Sequence, residues 1–511
     1  MSNTSKFASG LSWNTLTVVI QVVIQLIYTG IFARLVAPDA FMLMGLVLGI
    51  MGFAEIFSQV GVGPALVQRK EIHQQHINGA FYTALVLGLL FTLGFILTAP
   101  WIADFYQLPE LETITQVVCT SFTISALGVV PRNLMMKEMR FKAMFKAGMI
   151  SIIGGNLVVG LSLAYLGFGV WAYVWALFAQ NTLMTLSLWY FQPVRISLSW
   201  QWRYTAELMR YGVGSTLFNS LNYLATKMDV LVIPKSLSIH GAELTIAQKT
   251  SAANYERANY AMSQPITIMG KLSDSVLFSG MAAMQDNITQ LRRTFLIATN
   301  LIGLVMWPTA GFIYFFAKPL IVLWLGNQYL EAASILQVLF LVAVLRTLSK
   351  LCDSLLRAKD HLMKGSIIKV IYVVLIVSAI LIAVPYGMRT IAIGVVCANA
   401  LHYILNVALS ARILSLSSVQ MIRAWVPALL VGTLSLVVAG VLQFTLNSCI
   451  DSLLMQLTIG AVLWIVALCA CIYRWPWIMG GAQQNPLHVL PSKLKSISIV
   501  QRMIHRLQKE V

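Results

Sequence analysis

The sequence predicts an all-α polytopic membrane protein of about fourteen transmembrane helices, and three observations predict it. The 511 residues are 58% hydrophobic and only 10% charged, with mean hydropathy +0.79. A soluble globular chain carries about 25% charged residues. Apolar runs of about 20 residues recur along nearly the whole length, each long enough to cross the hydrocarbon as a helix. The alternation over about 10 residues that marks a transmembrane β-strand is missing. The third observation is an asymmetry between loops. Basic residues crowd into alternate connections and leave the others bare.

In chain order the spans fall near 11–36, 40–59, 78–102, 110–130, 147–167, 169–191, 207–233, 254–283, 295–317, 331–356, 365–386, 389–411, 425–446 and 453–473. The loop from Gln192 to Tyr204 divides them. Six spans precede it in a bundle over 1–205, six more form a second bundle over 206–420, a hairpin covers 421–473, and 474–511 is a basic tail. Repeated bundles of this kind are common in transporters, with the substrate path between the halves. The expected architecture is therefore two six-helix bundles around a central cavity, plus a C-terminal hairpin.

Loop charge fixes the orientation. Arg69 and Lys70, the group Arg132, Lys137, Arg140, Lys142 and Lys146, then Arg195 and Arg203, Arg292 and Arg293, Arg357, Lys359 and Lys364, and Arg412 and Arg423 all fall on one side. The opposite loops are short and poor in Lys and Arg, and the one from Asp104 to Glu112 is purely acidic. The positive-inside rule places both termini in the cytoplasm. The net charge of +17 is thus a property of loops and tail, and no nucleic-acid partner is implied. The first span has only Lys6 before it and no small-residue cleavage site, so it reads as a retained helix. In the tail, Leu494, Ile497, Val500, Ile504 and Leu507 recur at helical spacing among Lys and Arg. Either a basic amphipathic helix on the inner leaflet or a solvated tail fits this pattern.

Charges inside spans carry the functional argument. A charged side chain at the bilayer centre costs about 3 kcal/mol, so such residues face protein or a wet cavity and often mark a pathway. Arg257, Tyr260, Gln264, Thr267, Lys271 and Asp274 follow one another in steps of three and four on one helical face. Ser215, Asn219, Asn222, Thr226 and Asp229 do the same one span earlier, and Asn14, Thr17, Gln21, Gln25 and Tyr28 in the first span. These stripes are expected to line a hydrophilic cavity. Interhelical hydrogen bonding, at about 1 kcal/mol per contact, is the plainer reading of the first. Arg346, Lys350, Asp353 and Arg357 share another face. Arg357 can snorkel to the interface, whereas Arg346 lies too deep for that and is expected in the cavity. Glu55 is either a proton or cation site or the partner of a cytoplasmic arginine, and Arg34 lies near headgroup level.

No catalytic constellation stands out. The sequence holds no GxxxxGK[ST] phosphate loop, no HExxH pair and no metal-spaced cluster among its seven His. The six Cys lie mostly in apolar runs without metal-type pairing. No metal and no cofactor are expected.

The segment Phe32-Ala33-Arg34-Leu35-Val36-Ala37-Pro38, followed by Gly61-Val62-Gly63-Pro64-Ala65-Leu66-Val67-Gln68-Arg69-Lys70, resembles the start of Wzx-type polysaccharide flippases. Pro131-Arg132-Asn133-Leu134-Met135 with Arg140-Phe141-Lys142 resembles that family's basic inner loop, and Gly167-Phe168-Gly169-Val170-Trp171-Ala172 its outer turn. Asn222-Tyr223 with Asp229, and Pro319-Leu320 with Leu325-Gly326, continue the pattern over roughly residues 10–420. The chain departs from it after Pro234, where Lys235–Gly241 replaces a Gly-rich turn and Ala242–Ala253 reads as an insertion.

The resemblance implies the MOP superfamily fold, alternating access, and a substrate made of an oligosaccharide on undecaprenyl diphosphate in the bacterial inner membrane. It serves surface polysaccharide synthesis, lipopolysaccharide or exopolysaccharide, alongside glycosyltransferases and a polymerase. Fixed cations would then face the diphosphate, with Arg257, Lys271, Arg346 and Lys350 placed for it. Asn219, Asn222, Gln21, Gln25 and Gln264 would hydrogen-bond sugar hydroxyls, and the polyprenyl tail would stay among membrane lipids. A cation-coupled drug antiporter of the same fold would want an acid-dominated cavity. A membrane glycosyltransferase or polymerase would need larger loops. Without ATP hydrolysis, energy would come from an H+ or Na+ gradient or the membrane potential. Asp229, Asp274 and Glu55 are the coupling candidates. Lys271 and Asp274, three apart, can pair, which leaves Asp229 freer to titrate.

The orientation is directly testable. A reporter enzyme fused after Arg140 should be active only as a cytoplasmic fusion, and one after Pro109 only as a periplasmic fusion. The reverse pattern at either site would invert the topology.

Overall fold

The computed structural model describes residues 3–59, 63, 66, 72–197, 202–238, 244–272, 281, 284–359 and 361–474. Within these, the side chains of 3–16, 18, 57–59, 202–219, 271, 272, 362 and 474 are not described. The described residues contain helices and their connections, without a strand. Ten helices among them are long and apolar enough to cross a membrane, and the stretch Val19–Leu35 is a shorter apolar one. The chain is a multi-pass membrane protein.

The helices are α1 (Asn3–Leu35), α2 (Pro38–Gln59), α3 (Gln74–Tyr106), α4 (Glu110–Val118), α5 (Thr120–Lys137), α6 (Phe141–Ile152), α7 (Leu161–Tyr165), α8 (Val170–Phe191), α9 (Trp202–Leu237), α10 (Ile246–Leu272), α11 (Ile288–Leu325), α12 (Leu330–Ala358), α13 (Leu362–Ala383), α14 (Met388–Leu414), α15 (Ser418–Cys449) and α16 (Leu453–Arg474). α4 and α5 make one rod bent at Cys119, and α6 and α7 make another through a π-helical segment, Ile153–Gly160. α8, α9 and α10 fall below the apolar threshold. In α9 and α10 the residues that lower their hydropathy are the polar stripes noted in the sequence.

Two compact units form, Met1–Glu256 and Arg257–Val511, so the division falls inside α10. The sequence suggests a boundary at 205/206. The physical reason for the difference is that α9 packs on α2 and α3 of the first unit. Tyr223 donates from its hydroxyl to the Leu48 carbonyl at 3.0 Å, and Tyr106 to the Leu231 carbonyl at 3.1 Å. The stretch Ala242–Ala253, which reads as an insertion, is described from Leu244. From Ile246 it is the first two turns of α10, with Ala252 and Ala253 buried and Lys249 paired with Glu110 at 3.8 Å. Small residues let this part of the helix sit close to its neighbours. The span expected to run on to 283 is helix to Leu272, beyond which 273–280 are not described.

In the first unit, α3 packs on α5 and α8 packs on α5, α6 and the π-helical segment. An aromatic cluster of Tyr28, Phe32, Phe41 and Tyr173 joins α1, α2 and α8, with ring centroids 5.3–6.3 Å apart. At two helix interruptions a side chain reaches the backbone. Pro131 removes the N–H that would meet the Leu127 carbonyl, and the Trp189 indole donates to that carbonyl at 2.9 Å. At the Cys119 bend, the Thr92 hydroxyl donates to the Cys119 carbonyl at 3.0 Å. Two sequence motifs prove to be one structural feature. Gly63 lies under the Asn133 side chain, and Leu66 is buried with Ala80, Val130 and Leu134. The turn Gly167-Phe168-Gly169 holds both glycines at positive φ, +84° and +56°, where a Cβ would clash with its own backbone.

In the second unit α11 packs along α15 and α12, α12 along α14, and α13 along α14. Phe312, Phe316 and Trp464 stack at 4.5 and 4.9 Å. Ser435 donates to the Pro308 carbonyl at 2.7 Å and accepts from the Trp464 indole at 2.8 Å, tying α11, α15 and α16 together. α15 begins with a capping box. Ser417 Oγ accepts from Gln420 N at 3.3 Å, and Gln420 Oε1 accepts from Ser417 N at 3.0 Å.

Close helix approach in the first unit is testable at Gly155. A Cβ there would lie 2.6 Å from the Gln180 backbone, so α8 would have to move away. Gly155→Val should cost about 1–3 kcal/mol, as overpacking does, read as a lower melting temperature of purified protein. Gly94→Val, where a Cβ meets nothing within 4 Å, should melt like the wild type. Equal melting of both variants would refute the packing argument.

Candidate functional site

In the first unit the polar stripe of α1 meets the rod built from α6, the π-helical segment and α7. The Gln21 amide nitrogen lies 2.7 Å from where a Cβ on Gly148 would be, and Gln25 Oε1 accepts from Asn156 Nδ2 at 2.9 Å. Asn156 is buried and sits within the π-helical turn, a distortion frequent at functional sites. Gln21 and Gln25 both stay partly exposed. The side chains of Asn14 and Asn219 lie outside the described residues.

On α9, Asn222 is partly buried and its carbonyl takes the Thr226 hydroxyl at 3.1 Å. Asp229 is fully buried. Its Oδ1 accepts from the Val230 backbone N–H at 2.9 Å and its Oδ2 from the Tyr255 hydroxyl at 3.2 Å. Lys227 is partly buried two residues away. Glu55 lies near the end of α2 with an exposed side chain, within electrostatic reach of Arg132 and Tyr223. The Tyr223 ring fills the space beside Gly52, one turn before Glu55.

In the second unit Arg257 is only 3% exposed and lies over the Tyr260 ring at 5.0 Å. Tyr260 in turn stacks on Trp324 of α11, 6.2 Å apart at 23°. A guanidinium on an aromatic face is worth up to about 2 kcal/mol when desolvated, so this cation is positioned rather than free to swing. Gln264, expected to meet sugar, turns back on its own helix and donates to the Tyr260 carbonyl at 3.1 Å. Lys350 reaches across from α12, its ammonium resting where a Gly270 side chain would be. Thirteen residues separate Arg257 from Gly270, about 20 Å along the helix at 1.5 Å per residue. Arg257 and Lys350 therefore mark two depths along α10. The Lys271 side chain and all of Asp274 lie outside the described residues.

Arg346, Lys350, Asp353 and Arg357 start from one face of α12 and diverge. Arg346 donates from Nε to Asn399 Oδ1 at 3.2 Å and from an Nη to the Tyr372 hydroxyl at 3.2 Å, and Tyr372 donates to the same Asn399 oxygen at 3.0 Å. Asp353 takes the Lys369 ammonium at 2.8 Å, a buried pair. Arg357 turns to Ser354 at 3.4 Å. On α14, His402 Nε2 meets Asn406 Nδ2 at 2.9 Å while its ring lies against Tyr372 at 4.4 Å.

Sequence reasoning passed over Lys369, Tyr372, Asn399, His402 and Asn406. The signal was present, because Asn399, His402, Asn406 and Ser410 step by three, four and four along a predicted span. Among the described residues no group of three or more His, Cys, Asp or Glu is placed to hold a metal ion. Fixed cations, aromatic faces and amides are the chemistry offered. Such groups suit holding an anionic, hydroxylated ligand.

The comparisons with known proteins bear on this geometry. The chain is 26% identical over 415 residues to the lipopolysaccharide biosynthesis protein WzxC of Escherichia coli (strain K12), covering 80% of this chain and 81% of that one. Its fold is that of the lipid II flippase MurJ in an inward closed conformation, with TM-score 0.70 at 12% identity over 90% of this chain and 98% of that one. An inward-facing multidrug resistance MATE transporter of the MOP superfamily matches with TM-score 0.63 at 18% identity, over 77% and 94% of the two chains. The family described as Polysaccharide biosynthesis protein matches residues 31–334, and the chain belongs to that family.

Proposed function

We propose that this chain is a flippase of the bacterial inner membrane. It carries an oligosaccharide linked to undecaprenyl diphosphate from the inner to the outer leaflet by alternating access, for surface polysaccharide synthesis. The observation that carries the reading is Arg257, a cation of α10 buried on Tyr260, in a member of a polysaccharide biosynthesis family. A diphosphate must cross the hydrocarbon with its charge matched, and a preorganised guanidinium supplies two donors in a fixed fork. Lys350, about 20 Å further along α10, gives a second cation at another depth, and Lys271 is the sequence's third.

Loop charge supports cytoplasmic termini. The MurJ-like fold supports a lipid-linked substrate. Glycosyltransferases that build the saccharide and a polymerase that consumes it are the partners this role requires. Asp229 and Glu55 of the first unit are carboxylates whose protonation could differ between inward-open and outward-open states.

The test uses a strain deleted for this chain. It should accumulate a lipid-linked oligosaccharide in the inner leaflet and lose the surface polysaccharide. Arg257→Ala and Lys271→Ala, inserted at normal levels, should fail to restore export, with Lys271→Arg restoring part of it if charge alone is needed. Wild-type export by both alanine variants would remove these residues from the substrate path. A deletion strain with unchanged lipid-linked intermediates would defeat the flippase reading itself.

A further inference from the structure

The turn between α5 and α6 holds a side chain in a backbone conformation that does not suit it. α5 ends at Lys137 and α6 begins at Phe141, so three residues make the connection. Two hydrogen bonds close the helix end. The Arg140 N–H donates to the Met135 carbonyl at 2.9 Å, and the Met139 N–H to the Met136 carbonyl at 3.1 Å. This pattern requires a left-handed residue at 139, the place glycine commonly fills. Met139 stands there with φ +55°, where an L side chain crowds its own backbone and glycine does not. Two other helix ends are built alike, around Gln107 at φ +56° and Ser415 at φ +49°. Both of those residues are polar, and the Gln107 amide donates to the Asp104 carbonyl at 2.7 Å. Met139 is apolar and 50% exposed, and Met136, three residues earlier, is 40% exposed. Half of the Met139 surface therefore meets what lies outside the chain.

Position and charge point to what lies there. The membrane-length rods on either side end at Lys137 and begin at Phe141. The first has 28 residues, about 42 Å of helix at 1.5 Å per residue, and a bilayer with its headgroup layers is about 40–45 Å thick. That length sets the turn at headgroup level, on the side where loop charge places the cytoplasm. Lys142 and Lys146 are exposed and, four residues apart, share one face of α6. Arg140, beside Met139, is exposed as well. It lies 4.0 Å from Glu138 and donates to the Gln192 amide oxygen, and the Gln192 amide nitrogen donates to Glu138 at 3.2 Å. The acid of the turn is thus met by Arg140, and the charges of Lys142 and Lys146 make the surface basic.

We propose that the α5–α6 turn is a docking surface for anionic phospholipid headgroups. Met136 and Met139 dip below the headgroups, and Lys142 and Lys146 meet the phosphates. The proposal goes beyond the flippase reading and holds whatever the chain carries. Apolar side chains at the edge of the hydrocarbon and lysines facing anionic lipid are the two parts of interfacial attachment. A soluble acidic partner would match the lysines but would leave the two exposed methionines, at the edge of the hydrocarbon, without a role. Seated in this way, the turn fixes the depth of α5 and α6 in the leaflet, and the left-handed methionine is retained for its contact with lipid.

The experiment is native mass spectrometry of the full chain in detergent, titrated with phosphatidylglycerol or with phosphatidylcholine, alongside melting temperatures without lipid. The wild type should hold phosphatidylglycerol the more tightly. Lys142→Gln/Lys146→Gln should weaken phosphatidylglycerol binding about fivefold or more, the factor that one lysine near an anionic surface contributes, and leave phosphatidylcholine unchanged. Met139→Gly should weaken both lipids yet melt at or above the wild-type temperature, because glycine relaxes the left-handed position. Equal affinity of the wild type for the two lipids, or wild-type phosphatidylglycerol binding by the lysine variant, overturns the proposal. A Met139→Gly chain that melts lower and binds lipid as the wild type does would make Met139 a structural residue and overturn it too. In cells, Met139→p-benzoylphenylalanine should photo-crosslink to phospholipid. An adduct with a protein, or with an undecaprenyl lipid, would give the surface to that occupant and reject the phospholipid.

Discussion

Lys369, with 3% of its side chain exposed, lies 2.8 Å from Asp353, and that carboxylate offsets its charge inside the protein. Removing one member of a buried ion pair costs about 3–5 kcal/mol in proteins. Much of the second unit is arranged around this constraint. α12 and α14 bring polar faces together, and Tyr372 and Asn399 hold Arg346 about two helical turns from Asp353. The apolar faces of α13 then remain free to face lipid, with Ile367, Val370, Val374 and Ile382 exposed. The polar core is enclosed so that the outside can be hydrocarbon.

The backbone obeys the same constraint. Where a proline or a bend breaks the ladder inside a span, no water of the bilayer core is there to take the freed carbonyl. Trp189 supplies the donor for Leu127, and at Cys119 the Thr92 hydroxyl joins the Phe122 N–H on the carbonyl. These contacts explain why irregular helices stay within rods that still cross the membrane. Close contacts do the rest. Between helices in lipid there is no hydrophobic drive, so packing depends on small residues such as Gly155 and the glycines of α11 and α15.

The helical class and the number of rods were legible because an apolar run of spanning length satisfies its own backbone in lipid only as a helix. The ends of α10 were not. Alanines at 252 and 253 lie in the stretch that reads as an insertion in sequence, yet they are buried against neighbours that only the folded chain supplies. For the site, Arg257 was legible as the first residue of a polar stripe in an expected span, whereas the direction of its side chain came from Tyr260 and Trp324. Gln264 shows what a stripe leaves out, since helical spacing places a residue on a face but does not say that its amide nitrogen turns back to the Tyr260 carbonyl. Lys369 was missed for the opposite reason. Its partner is on another helix, sixteen residues away, and no spacing rule links the two.

The π-helical segment Ile153–Gly160 has a consequence for phase. Each wider turn accommodates one residue more than an α turn, which offsets everything beyond it by about 100° relative to an uninterrupted helix. α6 and α7 are therefore parts of one rod whose side chains follow the same rotation in different phase, and Asn156 sits in the segment where the phase changes. A relative one residue shorter in this stretch could close an ordinary α ladder and keep the same rod. It would turn a different face of that rod toward Gln25, so length at this place is a determinant of chemistry and not only of geometry.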